Sequence, residues 1–190
     1  MSKLSPLERT IIFAFIGFGL AVRLAHLTGP LDMPDWRQST TAYMAYRMAQ
    51  ESPPDILHPK VVYRGSRDVR ISEFPFYSFV VALVYKMMGT AESLPAARLV
   101  TLAFFLGSAF FLFRIVKLLL GHRTAWYVMA VYFCLPLALF YSRAVHYDIA
   151  LIFFSHAFLF FALQFYCTGR WRYFVWSTTS ATMAFLMKAP

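Results

Sequence analysis

The sequence predicts an all-α, polytopic membrane bundle of about five transmembrane helices, with interfacial juxtamembrane helices in the first outer loop. Three observations carry that prediction. Hydrophobic residues make up 59% of the chain and charged residues only 14%, where soluble domains carry about 25% charge. Apolar blocks recur at Ile11–Leu27, Phe74–Met88, Leu99–Val116, Ala125–Tyr141, Ile149–Cys167 and Tyr173–Met187. The basic residues mostly stand at the ends of those blocks, where they anchor helices and set orientation. The net charge of +9 is therefore not gathered into a stripe, which argues against a nucleic-acid partner.

Ile11–Leu27 reads as a first span. Lys3 and Arg9 ahead of it imitate a signal peptide, but the apolar run is long and no clean cleavage site follows, so an uncleaved helix is expected. Arg23, one turn from its far boundary, is expected to snorkel to the interface. A first outer loop covers 29–95. Within it, Thr40–Gln50 suits a helix with Ser39 or Thr40 as N-cap and Pro53-Pro54 as its stop. Lys60–Ile71 reads as loop.

Phe74–Met88 has 15 residues, short of the ~20 needed to cross. Charge placement decides its role. If it lies flat, Lys3, Arg9, Arg114, Lys117, Arg123, Arg170 and Arg172 share the cytoplasmic side, and only Arg143 and Lys188 flank outer ends. If it crosses, two basic clusters move outside, against the positive-inside rule. Five spans with a cytoplasmic N-terminus follow. Cys134 and Cys167 fall in or beside apolar blocks and read as small hydrophobes rather than a disulfide.

Three polar groupings could carry chemistry. Asp35-Trp36-Arg37-Gln38, with Asp32 just before it, offers a general base, a stacking surface and a guanidinium fork for phosphate; it equally suits a helix start anchored at the interface. Glu73 opens the Phe74–Met88 segment and could reach a metal or a substrate amine, or simply favour the helix N-terminus. Arg143, His146 and Asp148 crowd a turn between the third and fourth spans, where an Arg–Asp pair would satisfy itself. Seven of nine acids (Asp32, Asp35, Glu51, Asp55, Asp68, Glu73, Glu92) lie in the first outer loop. His156 and Gln164 suit interhelical hydrogen bonds, while His58 and His122 have no evident partner. No glycine-rich phosphate loop, zinc signature or serine nucleophile is present, so no nucleotide cofactor is expected.

Four motifs, taken in order, are similar to the N-terminal part of polyprenyl-phosphate-sugar-dependent membrane glycosyltransferases (the GT-C superfamily), including protein O-mannosyltransferases and aminoarabinose transferases. They are Asp35-Trp-Arg-Gln38 with Thr41-Ala-Tyr-Met-Ala45; Glu73-Phe-Pro-Phe-Tyr77 running to Tyr85-Lys-Met-Met-Gly89; Ala96-Ala-Arg-Leu99; and Tyr141-Ser-Arg143 with Asp148. The resemblance implies an enzyme of the bacterial inner membrane with a periplasmic site. It would move a sugar from an undecaprenyl- or dolichyl-phosphate donor to a lipid, glycan or protein acceptor. Asp35 would be the base or acceptor-orienting acid and Asp148 the second acid. Asp32, Trp36, Arg37, Gln38, Glu73 and Arg143 would contact substrate, with the two arginines on donor phosphate. Glu73 and His146 are candidates for a divalent metal, whose ligand set stays open. Relatives continue past Lys188-Ala-Pro190, so the expectation is the N-terminal part of a longer enzyme. A non-catalytic scaffold or transporter-like subunit is the alternative.

Overall fold

The computed structural model describes residues 4–25, 27–29, 36–57, 74–90 and 93–188, apart from the Trp36 side chain. The described residues form eight helices and no strand: α1 (Pro6–Leu24), α2 (Trp36–Gln50), α3 (Phe76–Met88), α4 (Leu94–Leu120), α5 (His122–Cys134), α6 (Pro136–Tyr141), α7 (Asp148–Thr168) and α8 (Trp171–Met187).

Local chemistry explains most of the boundaries. Ser5 and Glu8 form a capping box at the start of α1, with Pro6 in its first turn, so two orphan amides are satisfied reciprocally. Ser93 caps α4 by accepting the Ala96 amide at 3.3 Å. α3 ends at Gly89 in the left-handed region, φ 65°, a conformation costly for residues with a Cβ.

α1 starts before, and α4 extends at both ends beyond, the apolar blocks that predict them, and two further boundaries depart from expectation. α2 begins at Trp36 rather than Thr40, so Ser39 and Thr40 lie inside the helix and neither is its N-cap. Within that extra turn the Thr41 hydroxyl donates to the Arg37 carbonyl at 2.7 Å, the contact to the preceding turn that a helical backbone offers a threonine. The block Ala125–Tyr141, expected as one continuous span, is broken at Leu135. Pro136 has no amide to donate and its ring crowds the preceding turn. It also drives Leu135 out of the helical region, to φ −60° and ψ 122°.

α4 and α7 are each long and apolar enough to cross a membrane. The other apolar elements fall short singly for stated reasons. α1 carries Glu8, Arg9 and Arg23, α5 and α6 are separated by the proline break, and α8 has 17 residues. α3, with 13 residues, reaches roughly 20 Å, less than the ~30 Å hydrocarbon thickness.

The helices pack in series: α1 against α5, α5 against α4, α4 against α7 and α7 against α8, with α2 and α3 attached at one end through α4. Two apolar clusters follow from this order. Phe105, Met129, Phe133 and Ile149 fill the space between α1, α4, α5 and α7. Ala45, Tyr77, Val81, Val145 and Met187 knit α2 and α3 to α4, the turn before α7 and the end of α8. The chain is thus an all-helical membrane bundle.

Candidate active site

The second cluster lies under the end of the bundle where α2, α3, the α6–α7 turn and the C-terminus of α8 meet. Backbone bonds join these segments directly. The Phe74 amide donates to the Leu186 carbonyl at 3.2 Å, tying the entry of α3 to the end of α8. Ser78 Oγ donates to the Thr41 carbonyl at 3.2 Å, tying α3 to α2. At the exit of α1, the Arg98 guanidinium donates to the carbonyls of Leu27 (2.9 Å) and Gly29 (2.6 Å).

The α6–α7 turn, Ser142–Tyr147, is held from below at several points. The Arg143 amide donates to the Phe140 carbonyl at 3.2 Å and the Ala144 amide to the Tyr141 carbonyl at 3.3 Å. Thr101, fully buried on α4, donates its hydroxyl to the Ala144 carbonyl at 3.0 Å. The Tyr77 hydroxyl of α3 bonds Thr101 Oγ1 at 2.7 Å. Val145 is buried in the core beside them. The backbone of the turn is therefore clamped, while Arg143, Tyr147 and Asp148 remain only half-buried.

Asp148 opens α7, and its side chain is 18% exposed. Lys188, just past α8, lies 3.3 Å from Oδ1. His146 is 2% exposed and stacks on Tyr147 with ring centroids 4.5 Å apart. Its Nδ1 accepts the Asp148 amide at 3.2 Å and also lies 3.4 Å from Oδ2. Those two contacts need opposite states of Nδ1. Accepting the amide puts the proton of a neutral ring on Nε2, whereas donating to Oδ2 needs a proton on Nδ1, in the other neutral tautomer or in an imidazolium. In the neutral ring, Lys188 is therefore the cation that holds the carboxylate.

Arg37, in the first turn of α2, donates from Nη1 to the Tyr147 hydroxyl at 3.5 Å. A residue of the first loop thus meets the α6–α7 turn 110 positions away. Gln38 is buried one residue on. Asp32, Asp35, Glu73 and the Trp36 side chain lie outside the described residues. Of the sequence-predicted set, the structure therefore joins Arg37 to the turn that carries Arg143 and His146 and leads into Asp148. No group of three His, Cys, Asp or Glu side chains that could hold a metal ion exists among the described residues. His146 and Asp148 do not make such a site by themselves.

Several roles differ from the sequence reading. The cation beside Asp148 is Lys188, 40 positions away, where Arg143 had been the evident partner. Arg23 does not snorkel: it is 2% exposed, turned into the bundle. Its Nε donates to Ser142 Oγ at 2.7 Å, and Nη1 donates to the carbonyls of Gly19 (2.7 Å) and Phe133 (2.8 Å). His122 accepts from Trp126 Nε1 at 3.0 Å, one helical turn on. The interhelical role expected of His156 holds: its Nδ1 meets Ser108 Oγ of α4 at 2.9 Å. Thr101 and Arg98 carried no functional reading at all, although an arginine in the apolar Ala96-Ala-Arg-Leu99 start was a signal that could have found one.

The fold and this end together define a class: an all-helical membrane bundle that gathers cations and an acid from separate segments at one end. Residues 72–190, more than half of the chain, match the family described as dolichyl-phosphate-mannose-protein mannosyltransferase. The chain belongs to that family, one of membrane glycosyltransferases that use a lipid-linked sugar donor. The matched region contains Arg143, His146, Asp148 and Lys188, whereas Arg37 and Gln38 precede it. No curated protein and no solved structure matches the chain.

Proposed function

We propose that this protein transfers a sugar from a polyprenyl-phosphate-linked donor to an acceptor hydroxyl on a lipid, glycan or protein, at the outer face of the bacterial inner membrane. The observation that carries this reading is the meeting of Arg37, from the first loop, with the α6–α7 turn through Tyr147, beside Asp148. A guanidinium from one segment and an acid from another are what a phosphate-leaving transfer needs in one place.

The chemistry follows from the residue types. The acceptor hydroxyl forms a bond to the anomeric carbon while the bond from that carbon to the donor phosphate oxygen breaks. Polyprenyl phosphate leaves with the bonding electrons, and the hydroxyl proton passes to a carboxylate. Arg37 and Arg143 supply planar forks for the phosphate oxygens. Asp35 is proposed as the base, with Asp32 adjacent, and Asp148 as the second acid, orienting the acceptor. Trp36 and Gln38 would line the sugar, and Glu73 would contact substrate or a metal.

The proposed orientation has the N-terminus in the cytoplasm. Its support is the opposite end of the bundle, where Arg9, Lys117, Arg123, Arg170 and Arg172 flank helix termini. Residues 29–95 would then form the outer loop.

The test uses the full-length protein in membranes with a polyprenyl-phosphate sugar. Asp148→Asn and Asp35→Asn should each lower transfer by about 10²-fold or more, as loss of a general base or positioned acid does, while membrane insertion stays normal. Wild-type turnover by either variant removes that residue from the site. Donor binding without any transfer by the unmodified protein would favour a non-catalytic scaffold or transporter-like subunit.

A further inference from the structure

Arg23 is a buried guanidinium that the proposed chemistry does not use. Three of its contacts are donated hydrogen bonds, to Ser142 Oγ, Gly19 O and Phe133 O. Its charged carbon also sits 3.9 Å from the centre of the Phe105 ring and 5.5 Å from that of Phe133. No carboxylate is among its partners in the described residues, and Nη2 is buried without a hydrogen-bond acceptor. A buried charge so incompletely matched is poor evidence for stability, since an apolar side chain of similar volume often serves as well or better. Its contacts point to what it holds.

Two of its partners are special. The Phe133 carbonyl lies at the Leu135–Pro136 break, where a continuous helix would have consumed it; with α6 restarting at Pro136, it is open to an outside donor. Gly19 lets α1 come close enough to supply one: a Cβ there would lie 2.4 Å from the Phe133 oxygen. The other partner, Ser142, is the C-cap of α6 and immediately precedes Arg143. Its hydroxyl accepts from Arg23 and donates onward to the Leu139 carbonyl at 3.3 Å. One planar fork therefore bridges the proline break to the first residue of the α6–α7 turn. A lysine, with a compact head on a flexible stem, cannot hold those points in one plane.

We propose, on the glycosyltransferase reading above, that Arg23 is a positioning residue: acting through Ser142, it sets the α6–α7 turn so that Arg143 and Asp148 present to the lipid-linked donor. It touches neither donor nor acceptor itself.

The test compares Arg23→Met, Arg23→Lys, Ser142→Ala and Ser142→Thr with the unmodified full-length protein. Two readouts are taken, donor KM against kcat and hydrogen–deuterium exchange across residues 142–147. Ser142→Ala should keep normal membrane levels, accelerate exchange at Arg143 and Ala144, and raise donor KM roughly ten-fold, the size of one hydrogen bond to a charged group. Ser142→Thr, which keeps the hydroxyl, should restore both values. Neither Arg23 variant should be made worse by adding Ser142→Ala, because the two side chains act as one link. Unchanged exchange in Ser142→Ala overturns the inference even if the protein proves inactive with every donor. A proportional loss of kcat with folded protein at constant KM overturns it too, leaving only a structural role. Where the unmodified protein transfers no sugar, the glycosyltransferase reading fails instead, and the exchange result still decides whether Arg23 sets the turn.

Discussion

Asp148 and Glu8 are both acids in the first turn of a helix, and their surroundings give them different work. Glu8 lies at the end of the bundle away from the candidate site. It accepts hydrogen bonds from the Tyr127 hydroxyl and the Ser5 amide, and pairs with Arg123. Tyr127 contributes most, and together these hold its carboxyl down from an ordinary value of 4.5 to about 2. Since the folded value lies below the unfolded one, the associated stability is fully present above about pH 4.5 and is lost as pH falls toward about 2. Glu8→Gln should flatten that part of a melting-temperature profile in detergent, with a modest effect because the pair is solvent-exposed and screened by salt. Asp148 instead faces Lys188 across the candidate site. Lys188→Met removes the cation beside Oδ1 and should lower transfer about ten-fold while leaving the melting temperature within a few degrees. Equal transfer by that variant would show that Lys188 has no part in orienting the acid.

At the scale of elements, the informative feature is the broken α5–α6 pair. Gly19 and Pro136 act together: the proline opens the Phe133 carbonyl, and the glycine lets α1 approach it. Gly19→Ala should destabilise the bundle by about 1–3 kcal/mol, because the new methyl would press on backbone that has little room to move. Thermal unfolding in detergent reads this directly. An unshifted melting temperature would mean that α1 and α5 separate at little cost. Pro136 was visible in the sequence, yet the apolar content of Ala125–Tyr141 outweighed it in the reading of a single span. Hydropathy averages over a window and does not register where one amide is missing. The start of α2 was missed because Ser39 and Thr40 are good caps by residue type, yet the helix already runs from Trp36 and both lie inside it.

At the scale of the whole molecule, the bundle has two chemically different ends. One collects Arg37, Arg98, Arg143, His146, Asp148 and Lys188 from segments far apart in sequence. The other carries the Glu8–Arg123 pair and the basic helix termini. With that basic end in the cytoplasm, an impermeant thiol reagent should label Leu57→Cys in intact cells. The native Cys167, near the other end of α7 and exposed, should label only after permeabilisation, both read in a Cys134→Ala background. The reverse pattern would invert the proposed topology and put the candidate site on the wrong side for a periplasmic acceptor.

The helical class, the membrane setting and most helix ends were determined by the sequence itself, because they depend on local quantities: apolar run length, proline and glycine positions, and charge at the flanks. Arg37, Arg143 and Asp148 could be picked out as candidates from the sequence too, since charged groups beside long apolar runs are few. Tertiary structure alone decided which groups meet. That Lys188 serves Asp148, that Thr101 clamps the Ala144 carbonyl, and that Arg23 turns inward to Ser142 are contacts across 40, 43 and 119 positions. Such contacts are set by how helices pack in series, and no local pattern encodes them.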